Sequence, residues 1–210
     1  MITNPHRKKQ IEEFRDKDHA VMREFYDITE EVSNRKKLKT EMRRLIEEDP
    51  IFFDPYITLA DLLLDEEKNE EAKHLIRDAY QKAMLLIVDK DGNWPKEMAW
   101  GWLENRHIMR AIEHYAYQIW EEGKIEEALD IFRRLLKTNP GDNQGTRHNI
   151  LAIRLGLGTD WQEPFMVKEG SMAGQALEAG PLHKWFDENS KKFPEEFDWL
   201  LKIYRKWDKE

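Results

Sequence analysis

Apolar residues recur every three or four positions along most of this chain, and proline and glycine interrupt them only sparsely, which is the pattern of amphipathic helices. Ile11, Phe14, Met22, Phe25, Ile28 and Val32 lie near one stripe and predict a first helix that ends before Ser33 and Asn34. Leu38, Met42, Leu45 and Ile46 predict a second, stopped at Asp49 and Pro50 because proline cannot continue the hydrogen-bond ladder. Tyr56, Leu59, Ala60 and Leu63 mark a third helix, and Ala72, Leu75, Ile76 and Ala79 a fourth. No stretch alternates apolar and polar residues with period two between turn dipeptides, so no sheet is expected and the fold class is all-α.

The helices repeat one another in sequence. Ile112, Tyr115, Ala116 and Ile119 are followed by Gly123 in a turn, then by Ala128, Phe132 and Pro140. Tyr56, Leu59, Ala60 and Leu63, followed by Ala72 and Ile76, keep the same separations. Met22, Phe25, Tyr26 and Thr29, with Leu38, Met42 and Pro50, form a looser copy that begins 34 positions before Tyr56. This arrangement resembles the tetratricopeptide repeat (TPR) family, whose pattern is W-x-x-L-G-x-x-Y, A-x-x-x-F, P. Residues 102–111 and 135–145 are also similar to the helical region of the suppressor-of-tumorigenicity family. The resemblance spans about residues 20–158 and implies a superhelix of α-α hairpins with an interaction role and no catalytic residues.

On that basis residues 1–158 divide into units 19–52, 53–88 and 109–142, with a half-unit at 143–158. Tyr56 and Ile112 are 56 positions apart, so an insert at 89–108 breaks the 34-residue period. The insert holds Trp94, Trp100 and Trp102, which either form an aromatic wall beside Arg106 and Arg110 or plug an irregular junction. Residues 159–210 read as a loop, one short helix around 172–178, and two capping helices carrying Trp185 and Phe186, then Phe197, Leu200 and Tyr204. That tail either caps the array or occupies a groove, its own or a second copy's.

First helices line the groove of a TPR array, so the implied peptide-binding residues are Asp61, Arg110, Glu113, Tyr117, Trp120, Arg147 and Arg154. Tyr117 and Trp120 share a face and arginines flank them, which suits an acidic or aromatic peptide. Asp61 and Glu113 would repel the acidic chaperone C-termini that some members of the family hold. The expected partner is a protein or peptide segment, with a homodimer through the aromatic insert and C-terminal helices as the alternative.

Charge narrows the classes further. A formal net charge of −8 and a pI near 5.5, with no long basic run, argue against nucleic acid. The absence of cysteine removes thiolate chemistry and suits a reducing compartment, so a cytoplasmic location is expected. Residues 1–10 are polar, and the longest apolar run, 84–88, is too short to cross a bilayer. Glu104 and His107 have the spacing of a carboxylate-bridged metal helix, with His114 two turns on, but His74, His148 and His183 lack such companions and no metal or other cofactor is expected. No phosphate-binding glycine loop or nucleophile elbow is present, and catalysis is not expected.

Overall fold

The computed structural model describes residues 10–209, so the polar stretch before Gln10 lies outside the described residues. The described chain is all-helical: α1 (Val21–Glu31), α2 (Arg35–Glu48), α3 (Asp54–Leu64), α4 (Asn69–Ile87), α5 (Leu103–Glu121), α6 (Ile125–Thr138), α7 (Thr146–Arg154), α8 (Ala179–Asn189) and α9 (Pro194–Trp207). It contains no strand, only two isolated bridges, Glu13 with Glu97 and Met166 with Leu177. From α1 to α7 each helix packs on the next, and the closest pairs are α3 with α4 and α5 with α6. Their short connections turn each helix back along its predecessor. Alanines at the crossings, Ala60, Ala72, Ala116 and Ala128, are buried, so the backbones approach closely while Phe132 and Leu63 fill the space between.

Helix ends recur along the chain. After α5, Gly123 takes φ +80°, its N–H reaches the Trp120 carbonyl, and Lys124 N–H reaches Ile119. This left-handed exit satisfies carbonyls that the helix leaves open. The same pair of bonds follows α7 at Gly156 and Leu157, and follows α3 at Glu67 and Lys68. Glu67 does it without being glycine, at φ 59°. Helices α2 and α6 also stop alike, at Asp49 and Asn139, both with φ −134°, each followed by proline. Asn34 opens α2 by accepting a hydrogen bond from Lys37 N–H at 3.0 Å.

Three expectations need correction. The first helix does not start near Ile11: residues 10–20 are irregular apart from a single bridge at Glu13, and α1 begins at Val21. Their backbone is instead drawn to the insert, where Lys96 N–H and Glu97 N–H donate to Ile11 and Glu12 carbonyls, and Phe14 N–H donates to Glu97. The insert is also shorter than 89–108, because α5 already begins at Leu103. Residues 172–178 form turns and a bridge rather than a helix, as Gly170 and Gly174 take left-handed φ values.

Asn105 joins these pieces. It is fully buried, accepts from Asp16 N–H at 2.9 Å, and donates to the Phe14 and Ala99 carbonyls at 3.0 and 3.2 Å. Replacing Asn105→Ala is expected to cost about 2–4 kcal/mol in urea unfolding, and to speed tryptic cleavage at Arg15 and Lys17.

Candidate functional site

Two places concentrate polar side chains: an open groove beside α5, and a buried network behind it. The groove is built from two cavities that share His114, Tyr117 and Glu121. The larger, about 450 Å³, adds Glu113, Thr159 and Asp160, and the smaller, about 160 Å³, adds Asp61 and Leu64 from α3, Lys73 from α4 and Gln118. Helix periodicity explains the α5 contribution, since 113, 114, 117, 118 and 121 fall on one face.

Its electrostatics are acidic. Among the described residues, Asp61, Glu113, Glu121 and Asp160 take part in none of the ion pairs found. Glu113 accepts from Gln144 Nε2 at 2.6 Å, but burial dominates and raises its pKa to about 8. Burial at the wall, with the nearby Asp65, also raises Asp61. Burial, followed by the Arg110 charge, pulls His114 down and favours its neutral form. Lys73 is the one lysine or arginine lining the two cavities, and it lies 4.0 Å from Glu70.

The other predicted groove residues are engaged elsewhere. Arg110 forms a two-pronged pair with buried Asp54, Nε to Oδ1 at 2.8 Å and Nη2 to Oδ2 at 2.5 Å. Trp120 is 5% exposed and packs against Tyr117 and Phe132. Arg147 pairs with Asp142 at 2.9 Å and lies over the Phe186 ring of α8, with the Tyr204 hydroxyl at 3.4 Å. Arg154 pairs with Glu195 and Glu196 at the start of α9. The tail therefore covers the α7 end, while Asp61, Glu113 and Tyr117 remain together in the open part. Tyr117 still contacts both α7 and the tail: its hydroxyl donates to Asn149 Oδ1 at 2.5 Å and accepts from Gln162 Nε2 of the tail at 2.8 Å.

The three tryptophans form no common wall. Trp94 is buried, and its carbonyl accepts from Gln10. Arg106 and Arg110 lie over the Trp100 ring at 5.1 and 5.8 Å. Trp102, 37% exposed, donates to Glu13 at 2.9 Å and lies under the Arg15 guanidinium at 3.7 Å.

The buried network joins His107, singled out in the sequence for its spacing to Glu104, to Asp16 and His19, which were not. Asp16, His19 and His107 offer ligand atoms within 4.8 Å of one another. His19 Nδ1 lies 2.7 Å from Asp49 Oδ2, and its Nε2 lies 3.0 Å from Asp16 Oδ2. With a carboxylate at each nitrogen, both donate and His19 is an imidazolium. His107 Nε2 lies 3.0 Å from the same Asp16 oxygen, while its Nδ1 accepts from Phe53 N–H at 3.1 Å. That acceptor role leaves the ring proton of His107 on Nε2, so this nitrogen has no lone pair to give a metal. The donor set fits proton sharing rather than metal ligation. Burial opposes the charge on Asp16, but hydrogen bonds from His107 and His19 outweigh it and hold the carboxyl well below its usual range. Burial likewise opposes the charge on His19, and Asp16 and Asp49 outweigh it and raise its pKa. Burial lowers His107.

A comparison with family models, curated proteins and solved structures finds no match for this chain. No helix among the described residues is long and apolar enough to cross a membrane.

Two pH signatures follow from these shifts. The raised His19 contributes stability in full below its ordinary 6.5 and loses it as pH rises through the folded value. Thermal unfolding across pH should therefore show His19→Gln trailing the wild type near neutrality, with the gap closing on the alkaline side. Glu113 folds with a value of about 8 against an ordinary 4.5, so wild type loses stability across that interval and Glu113→Gln does not. The same scans should show Glu113→Gln gaining on wild type as pH climbs through that interval.

Proposed function

We propose that the chain is a TPR-type superhelix of α-α hairpins that serves as a non-catalytic scaffold, holding a peptide or protein segment in the groove between α3, α5 and the turn at 158–160. The recurring helix exits at Glu67, Gly123 and Gly156, and the matched endings at Asp49 and Asn139, support the repeat. They extend to the backbone the periodicity seen in the sequence. Insert and tail replace regular units, and the tail caps the last hairpin through Arg133 and Glu196, whose Nε and Oε2 lie 2.9 Å apart.

The observation that carries the binding role is the open groove with the Glu113 carboxyl among its lining residues. A buried carboxyl without a cation destabilises a fold, and such departures from good packing are expected where a protein binds something. An opening of about 450 Å³ has room for side chains of an extended segment. The aromatic insert, by contrast, is engaged within the chain by Gln10, Glu13 and Arg15, which leaves it no need of a second copy.

The test is selection of random dodecapeptides on the full chain, followed by titration against Thr159→Trp, which narrows the groove without changing its charge. Selected peptides should bind the variant about tenfold more weakly or worse, a loss of about 1.4 kcal/mol. Failure to select any peptide, or equal binding to the variant, would sink the groove reading.

A further inference from the structure

The groove's chemistry also specifies what kind of segment fits it, an inference that rests on the binding role just proposed. We propose that the occupant is cationic: a peptide segment that places a lysine or arginine side chain between Asp61 and Glu113, with Glu121 and Asp160 at the rim.

The charge inventory carries the argument. Of the cations that the repeat pattern would present to a ligand, Arg110 is held by Asp54, Arg147 by Asp142 and Arg154 by Glu195 and Glu196. What remains beside the opening is carboxylate, with neutral His114 and Lys73 at one edge. An acidic segment would meet like charge at Asp61, Glu121 and Asp160, whereas an ammonium or guanidinium would pair with these carboxylates and favour ionisation of Glu113, whose carboxyl is kept protonated at neutral pH by burial.

A second feature, independent of charge, points the same way. Gln118 lines the smaller cavity and is only 7% exposed; its Nε2 donates to Glu122 at 3.2 Å, yet its Oε1 has no hydrogen-bond partner. Buried polar atoms are nearly always satisfied, and an orphan acceptor calls for a donor from outside. The Oε1 of Gln144, whose amide Nε2 donates to Glu113, is likewise without a partner. Lysine and arginine are donor-only side chains, so one such group in the smaller cavity serves the Asp61 carboxylate and the Gln118 acceptor together.

The probe is a set of three fluorescent dodecapeptides, identical except that alternate positions carry lysine, glutamate or glutamine, titrated by anisotropy against the full chain. Because a net charge of −8 attracts any polycation, the titrations are run at about pH 9, where Glu113 too is ionised, and the groove pair Asp61→Asn with Glu113→Gln is compared with an equal charge change, Glu30→Gln with Glu31→Gln, at the exposed end of α1. The lysine peptide should bind best and lose about tenfold or more in affinity with the groove pair, but little with the α1 pair. Equal losses in the two pairs would reduce the effect to diffuse attraction and overturn the proposal. Preferred binding of the glutamate or glutamine peptide, weakened by Thr159→Trp, would overturn the cation and leave the groove reading intact. No binding by any of the three also rejects the cationic occupant, and the dodecapeptide selection then decides whether the groove binds at all.

Discussion

Asp16 is a carboxylate held among protein atoms, and the arrangement of three chain segments follows from keeping it satisfied. An ionised group away from water is tolerated only with partners in good geometry. Here the partners arrive from different places: His19 from the end of the same extended segment, and His107 from the second turn of α5. Asp49, at the end of α2, holds the far side of His19, and Phe53 N–H sets the orientation of His107. Moving any one of these strands the others, so the network fixes where the first hairpin, the insert and α5 meet. Phe52 and Phe53 pack around the imidazoles and keep water away.

The groove follows the opposite rule. Where the network behind α5 pairs every charge, the groove face of α5 carries Glu113, whose burial keeps its carboxyl protonated, and Gln118, whose Oε1 has no donor. One helix thus carries a fully satisfied side and an unsatisfied one. The proposed binding role rests on the unsatisfied side, where an outside group could supply the missing partners.

Much of the helical framework was legible in the sequence, because apolar spacing and proline stops are local signals. Pro50 and Pro140 end α2 and α6 where the pattern puts them, and Gly123 marks the turn between α5 and α6. The start of the first helix was not legible. Ile11 and Phe14 fall on the helical stripe, but their backbone hydrogen bonds go to residues more than 80 positions away, and periodicity carries no information about such partners. The site divides in the same way. Asp61 lines the smaller cavity, Glu113 the larger and Tyr117 both, whereas the fate of Arg110, Arg147 and Arg154 depended on Asp54, Asp142 and the tail glutamates. Asp16 and His19 were a weak but real signal, an i, i+3 pair of ligand-type residues; only its partner His107 stood out, through its spacing to Glu104.

A row of stacked helices has an inherent difficulty at its last member, whose apolar flank is shaped to receive another helix and so invites the next molecule in line. The segment after α7 removes that flank from contact. Trp161 and Trp185 stack at 5.3 Å, Phe186 meets Phe197 edge-on at 5.1 Å, and Glu196 turns a charged pairing toward Arg133. The cost is that Arg147 and Arg154, which an uncovered α7 would have left more exposed, are taken up by contacts with this segment.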